Sequence, residues 1–395
     1  MTYFDGSARG EDRTGSMQFV SLPRLSSRPS VSVLIANYNY GHLIADAIDS
    51  ALSQSYTPRE VVVFDDGSTD SSCQVVNSYI ARGEPVLLLR GQHRGMAAGL
   101  NAAFEAASGD ILCFLDADDY FLPGKIESVV AAFLAHPNAG FAIHRAQRVD
   151  IEGRRRGIFP LLGSLPRGDC ADIMVENQGI LMGLPPTSNL SLRSQVAEHI
   201  FPIPEYLFGY AEQFLHRIAP FCTSICPIDE SLSVWRLHTR NDANAEGVFP
   251  HRLRRELDFM ERLWNEQRAF LVLHNPTVAP KLVPLNFNAL YISMQYMLLR
   301  LTGDRAAREY HRMLCSLVAG GNWTIRWFWR MSVWLPLPFF KLCINKLQTQ
   351  SIAKQWIAYT LCLLRFVRVR RTLVSACARL VAVSRVALKE RVSCR

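Results

Sequence analysis

Residues 111–120 read I-L-C-F-L-D-A-D-D-Y, and no other stretch narrows the possible folds of this chain as much. Five consecutive apolar residues without polar alternation suit a strand covered on both faces, as in a parallel sheet. The run then ends in three carboxylates over four positions. Asp116, Asp118 and Asp119 disfavour one another's ionisation unless something positive lies among them, so stability alone does not account for them. In open α/β sheets, ligands bind beyond the carboxyl ends of the strands. The pattern predicts a divalent cation held by Asp118, with oxygen ligands shared between protein, water and a bound phosphate. A solvated acidic turn capping the next helix is the plainer alternative. Asp-x-Asp is a common pair, so the surrounding segments must decide.

Those segments alternate. Residues 31–36 (V-S-V-L-I-A) predict a strand that ends at N-Y-N-Y-G. Leu43, Ile44, Ala47, Ile48, Ala51 and Leu52 then recur at helical spacing. A second strand is expected at 60–64, followed by D-D-G-S-T-D and a helix to about residue 82. A third strand at 85–89, a helix at 97–107 and the turn Ser108-Gly109-Asp110 lead back to the acidic strand. Four strand–helix alternations joined by short loops indicate a parallel α/β sheet. Gly67 permits the turn, and Ser68, Thr69 or Asp70 can cap the helix after it. Capping does not explain two consecutive acids, Asp65 and Asp66, at a strand terminus. A carboxylate there suits the N–H edge of uracil or guanine, and Tyr38 offers a face on which such a base stacks; packing is the alternative for a lone tyrosine.

Charge divides the chain. Residues 321–395 hold 14 Lys and Arg against Glu390 alone, a surplus of +13, and the rest carries 29 basic and 34 acidic residues, or −5. The overall +8 therefore describes a tail. This argues against nucleic acid as partner of the main domain and for an anionic surface as partner of the tail. The ten cysteines are scattered, and no histidine completes a zinc pattern around Cys222 and Cys226. Reduced thiols in a cytoplasmic protein are expected. Residues 1–29, rich in Ser, Arg and Gly, read as a disordered lead-in rather than a signal peptide. No run of about 18 apolar residues predicts a membrane-crossing helix.

Taken together, V-S-V-L-I-A-N-Y-N-Y, V-V-V-F-D-D-G-S-T-D, H-R-G-M-A-A-G-L-N (93–101), S-G-D and F-L-D-A-D-D resemble glycosyltransferase family 2 in order and spacing, from Val31 to about Pro123. The resemblance implies a GT-A fold, the Rossmann-like mixed α/β sheet of nucleotide-diphospho-sugar transferases. It further implies a nucleotide-sugar donor, Mg²⁺ or Mn²⁺, and inversion at the anomeric carbon. Carried over by position, Ala36 and Tyr38 line the base pocket, Asp66 takes the base edge, and Asp116 meets the ribose. Asp118 holds the metal that bridges the diphosphate, and Asp119 stands behind it. Family members often place Arg directly before the asparagine at 101; this chain has Leu100, which leaves Arg94 as the candidate phosphate or ribose contact.

Further on, residues 140–148 predict a strand, 150–156 a charged turn, and Ser194 the start of a helix. The family carries Glu-Asp before a hydrophobic helix, with the Asp as base. Here the stretch is Y-A-E-Q-F-L, so Ala211 replaces the glutamate and Glu212 falls at the aspartate position. Glu212 is the candidate base, Glu205 the fallback, and a helix-surface glutamate the plain alternative. Val234-Trp235-Arg236-Leu237-His238 resembles the family's Arg-x-His strand end, and His238 is expected to ligate the metal or bond the diphosphate, a structural role being the alternative. After residue 248, helical patterns at 251–270, 284–301 and 304–317 fall outside the resemblance. The tail, which mixes Trp323, Trp327, Trp329 and Trp334 with basic residues, suits the interface of an anionic membrane; a helical subdomain with solvated bases is the alternative. The expected organisation is a lead-in at 1–29, a GT-A domain at 30–247, a helical extension at 248–320 and a basic tail at 321–395. The expected activity is transfer of a sugar, from a UDP-sugar in the first instance, to a glycan or lipid-linked hydroxyl in cell-surface polysaccharide synthesis, by a cytoplasmic protein that touches the inner membrane face. The competing expectation is a GT-A-like scaffold that binds membrane or partners and has lost turnover, because Ala211 and Glu212 depart from the family pattern.

Overall fold

The computed structural model describes residues 20–150, 152–160, 164–177, 179–181, 184–238, 249–317 and 329–348. Its first half alternates as the sequence indicates: β1 (Val31–Asn37), α1 (Ile44–Leu52), β2 (Glu60–Asp65), α2 (Ser72–Ala81), β3 (Val86–Arg90), α3 (Met96–Ala106) and β4 (Ile111–Asp116). There follow β5 (Tyr120–Phe121), α4 (Lys125–Ala135), β6 (Ala139–Asp150), β7 (Arg155–Phe159), α5 (Ala171–Glu176), β8 (Leu190–Arg193), α6 (Ser194–Ile200), α7 (Ala211–Cys222) and β9 (Ser224–Leu237). The nine strands form one sheet in the order β3-β2-β1-β4-β8-β6-β9-β5, with β7 paired to β6. β1 to β4 are parallel, whereas β8 runs antiparallel between β4 and β6. The mixed sheet is thus the GT-A architecture that the family resemblance implies.

Burial explains the unbroken apolar strands. Leu34, Val62, Leu112 and Phe114 face a core shared with α3, α6 and α7. Their neighbours Val33, Ile35, Val61, Val63 and Cys113 face the opposite core, under α1, α2 and α4. Successive side chains thus alternate between two buried faces. The amino end of the sheet is stapled by polar bonds. Ser32 Oγ donates to Glu60 Oε1 at 2.7 Å, and the Gly109 N–H donates to Ser32 Oγ at 2.9 Å. Asp110 accepts from both the backbone and the hydroxyl of Ser30. The Ser108-Gly109-Asp110 turn is therefore structural and lies at the end of β4 away from the carboxylates.

Two expectations need correction. Residues 20–29 are not a free lead-in: Val20 and Leu22 pack against one core and Leu25 against the other, and the carbonyl of Pro29 accepts a bond from the Tyr56 hydroxyl. Their apolar side chains, spaced among serines, were too few to register as an element. The charged stretch expected as a turn at 150–156 turns at Asp150–Arg154 and then continues into β7, which pairs antiparallel with β6. Asp150 closes the turn by accepting from Arg154 and Arg156 side chains.

Two compact units are distinguishable: residues 1–244 with 256–292, and 245–255 with 293–395. In the first, Leu263 and Gln267 of α8 (Pro250–His274) are fully buried, and Gln267 Nε2 donates to the carbonyls of Arg217 and Gly179 at 2.8 and 3.1 Å. The boundary expected at 247 thus does not coincide with that of the compact unit, because a buried amide needs the partners that Arg217 and Gly179 supply. The second unit holds most of α9 (Ala289–Thr302), α10 (Ala307–Leu317) and a helix at Leu337–Gln348. Its centre is Tyr296, 1% exposed, whose hydroxyl meets Ser332 Oγ at 2.9 Å and accepts from Arg300 at 2.7 Å. Trp334 is 76% exposed; most of the basic tail, including Trp323 and Trp327, lies outside the described residues. Among the described residues no helix is long and apolar enough to cross a membrane.

Candidate active site

The carboxyl ends of β1, β2 and β4 bring three loops together. The first two are laced by asparagines. Asn37 Nδ2 donates to Asp65 Oδ2 at 2.8 Å, and Asn39 Oδ1 accepts from the Thr69 N–H at 2.8 Å. Asn39 adopts φ +56°, a left-handed conformation that asparagine tolerates better than most residues. Asp65 and Asp70 are consumed by this scaffold: Asp65 Oδ1 accepts from Ser68 N–H, and Asp70 from Gly41 N–H and Ser72. Asp66 is left pointing between the loops. It is 4% exposed, and it accepts from the backbone N–H groups of Arg94 and Gly95 at 2.8 Å each. His93 Nδ1 lies 2.8 Å from the same carboxylate. Tyr38, 39% exposed, stacks on that imidazole, and Ala36 is half-buried near the end of β1.

At the end of β4, Asp116, Asp118 and Asp119 each offer an oxygen within 4.8 Å of the others. Asp119 is 1% exposed and works as a clamp. It accepts from Ser188 Oγ at 2.6 Å and from the Arg236 N–H at 3.0 Å, tying the segment before β8 and the end of β9 to the acidic turn. Burial and the neighbouring acids push the carboxyls of Asp116 and Asp119 well above the usual range. That is the electrostatic condition a divalent cation relieves. His238 Nε2 lies 2.7 Å from Asp118 Oδ2. Carboxylate oxygens with one imidazole form a donor set suited to Mg²⁺ or Mn²⁺, so these residues fit the metal expected from sequence.

Glu212 opens α7. A carboxylate in the first turn gains from the helix dipole, yet desolvation in the cleft outweighs this and pushes Glu212 up to about 7. Its charge also contributes to raising Asp116, which places the two carboxyls in one electrostatic neighbourhood. Gln213 Nε2 donates to Glu212 Oε1 at 3.3 Å. A carboxyl that titrates near neutrality, beside an acidic metal-type cluster, is equipped to accept a proton during turnover.

The structure brings Asp116, Asp118, Asp119 and His238 together, with Glu212 in electrostatic reach of Asp116 and Ala36 beside Asp116 in the strand register; Tyr38 and Asp66 are joined through His93. Arg94 behaves differently. Its guanidinium is 64% exposed and paired with Glu205, and only its backbone N–H enters the pocket. The fallback base Glu205 is held in the same ion pair. Residues that sequence reasoning passed over include His93, Phe208 and Ser188. His93 lay within the quoted family stretch, and Ser188 lay in the Pro-Pro-Thr-Ser-Asn lead-in to β8, so both were visible but without an assigned role.

Residues 32–190 match the model of glycosyl transferase family 2. The chain belongs to this family through that domain. An uncharacterized glycosyltransferase of Nostoc sp. is 30% identical over 214 residues, 54% of this chain and 66% of that protein. The chondroitin synthase of Pasteurella multocida is 36% identical over 106 residues, 27% of this chain and 11% of the synthase. A UDP-Glc:α-D-GlcNAc-diphosphoundecaprenol β-1,3-glucosyltransferase of Escherichia coli is 35% identical over 100 residues, 25% of this chain and 39% of that enzyme. The aligned segments of this chain span less than two thirds of each of these relatives. Among solved structures, residues 1–349 of Staphylococcus aureus TarS with UDP-GlcNAc align at 17% identity over 86% of this chain and 92% of that one, with a TM-score of 0.48.

Proposed function

We propose that this family 2 domain transfers a sugar from a nucleoside-diphosphate donor to an acceptor hydroxyl, with inversion at the anomeric carbon and with Mg²⁺ or Mn²⁺ held by Asp118 and His238. The observation that carries the reading is the three-carboxylate cluster at the end of β4, with Glu212, whose carboxyl burial pushes up to about 7, in electrostatic reach of Asp116. The bound cation supplies neutralisation of the charge that develops on the leaving diphosphate.

The chain's own residues do the rest. Tyr38 offers a stacking face and Asp66 an acceptor for the N–H edge of the base, while Asp116 bonds the ribose. Glu212 takes the proton from the acceptor hydroxyl as that oxygen attacks. Direct attack by one oxygen on the face opposite the departing diphosphate inverts the configuration, and it needs a single proton acceptor. Asp119 keeps the acidic turn in register with β9 through the Arg236 N–H. A UDP-sugar is taken as the donor in the first instance; the Asp66 carboxylate suits the ring N–H of uracil, as it would that of guanine. A lipid-linked glycan as acceptor is supported by the similarity to the Escherichia coli glucosyltransferase and by the surplus of +13 over residues 321–395, which suits contact with an anionic membrane. Vesicle co-sedimentation of the full chain against a chain ending at residue 322 tests the last point: equal binding by both would remove the tail from the account.

Release of nucleoside diphosphate from a panel of UDP- and GDP-sugars, with and without Mn²⁺, tests the reading as a whole. Metal-dependent consumption of one donor is the expected result, and inertness towards every donor with acceptor present would refute it.

A further inference from the structure

The slot between Tyr38 and Asp66 is already filled by a side chain of the protein. The His93 imidazole lies face to face with the Tyr38 ring, centroids 3.8 Å apart and planes 15° from parallel. Its Nδ1 is 2.8 Å from Asp66 Oδ2. Phe208 closes a third side, its ring edge-on to His93 at 5.2 Å. A flat heterocycle that stacks on Tyr38 and donates a ring N–H to Asp66 meets the same two requirements as the base of the proposed donor. One slot cannot hold both rings.

We infer that His93 is a built-in competitor for the nucleobase, occupying the Tyr38–Asp66 slot in the donor-free protein and turning out when the base enters. This inference rests on the nucleotide-sugar reading above.

The surroundings allow the exchange to be made by the side chain alone. The loop backbone stays pinned, because Arg94 and Gly95 N–H groups bond Asp66 and the Gly91 N–H bonds the Asp65 carbonyl at 2.9 Å. An ionised carboxylate has about four acceptor positions. Two remain with the backbone, and the one used by His93 passes to the base. The imidazole is 42% exposed, so a rotation about its first side-chain torsion carries it towards solvent. Phe208 keeps its place on the pocket wall: its carbonyl accepts from the Ala97 N–H at 3.1 Å, and a Cβ on residue 95 would come within 2.5 Å of its ring. Gly95, at φ +91°, is thus required both for the turn and for the aromatic wall.

The occupant has a cost and a use. Without a donor, it satisfies a buried carboxylate that would otherwise lose a bond. In exchange, apparent donor affinity falls by the fraction of molecules in which the slot is open. Removing the ring should therefore tighten donor binding, the reverse of what loss of an ordinary pocket residue does.

Titration calorimetry of the full chain with UDP and Mn²⁺ reads this directly, with pyrophosphate and Mn²⁺ as a probe that does not enter the base slot. His93→Ala is expected to bind UDP about tenfold more tightly, the scale of one charge-assisted hydrogen bond. His93→Asn, which can still donate to Asp66 but stacks poorly, should fall between Ala and parent. Pyrophosphate affinity should be the same in all three. Equal or weaker UDP binding by His93→Ala, with pyrophosphate unchanged, overturns the inference and makes His93 a wall of the base pocket. A parent that binds neither probe contradicts the nucleotide-sugar reading and removes the inference with it. A parent that binds pyrophosphate but not UDP overturns the base slot alone. Should the alanine variant not fold, the parent still decides: UDP must shift the His93 ring proton resonances out of the Tyr38 ring current, and unmoved resonances overturn the proposal.

Discussion

His238 Nε2 lies 2.7 Å from Asp118 Oδ2, although 120 residues separate them in the chain. The contact joins the end of β9 to the turn after β4, and both side chains are mostly buried. It is reinforced close by, where the Arg236 N–H bonds Asp119 and the Arg236 guanidinium lies 4.8 Å from the Tyr120 ring centroid. A carboxylate and an imidazole held this close can share a proton, or both can turn to one cation.

Asp118→Ala should abolish the Mn²⁺-dependent part of UDP binding and leave the thermal transition of the metal-free protein near that of the parent. His238→Ala should weaken metal-dependent binding by about 10- to 100-fold, since carboxylate ligands remain. Calorimetry with and without Mn²⁺ checks both, and full metal dependence in Asp118→Ala would remove Asp118 as a ligand.

Glu212 also makes a prediction about stability. Its carboxyl is raised in the folded protein from 4.5 to about 7, so the folded state holds the proton more tightly than the unfolded chain. Its contribution to stability is therefore full below pH 4.5 and lost as pH rises through 7. Glu212→Gln has no such titration. At about 1.4 kcal/mol per unit, the parent should lose up to about 3 kcal/mol relative to Glu212→Gln between pH 4.5 and 8. Denaturant titrations at the two pH values measure it; parallel behaviour of the two proteins would show that Glu212 is not desolvated.

Asn101 carries a structural prediction. Its side chain is 8% exposed, and it donates to the Ile203 carbonyl at 2.8 Å while accepting from the Ile203 N–H at 2.7 Å. Asn101→Ala orphans both backbone groups and should cost about 2–4 kcal/mol. Because the segment from Ile203 leads to Phe208 and Glu212, turnover should also fall. Unchanged stability would mean that water replaces the amide.

How much of this was legible follows from where each residue sits. The strands β1, β2 and β4 showed in the sequence because both their faces are buried, leaving apolar runs with no ambiguity of face. The carboxylates after β4 were legible because three acids at the end of such a run have no packing explanation. β7 was not, because Arg155 and Arg156 on this edge strand are exposed and carry no hydrophobic period. Asp66 was legible as a site residue, but its partners were not: the loop that brings His93 to it is set by Gly91, Gly95 and the Asp65 carbonyl, and none of these advertises a distance of 27 residues closed to 2.8 Å. The ion pair that draws Arg94 to Glu205 is likewise a long-range outcome, invisible in either segment alone.

In the proposed reaction a cation-binding acidic turn and a separate base cooperate in sugar transfer, and the Glu212→Gln variant separates the two roles. Donor affinity and kcat should be measured together, with Mn²⁺ and the true acceptor. UDP-sugar affinity is expected within about twofold of the parent and kcat lower by at least about 10²-fold, the lower scale for a lost general base. In the parent, kcat should rise about tenfold per pH unit up to about 7 and then level, because only the ionised Glu212 accepts the proton; the variant should lack this rise. Parental kcat in Glu212→Gln, with the same pH profile, would contradict it.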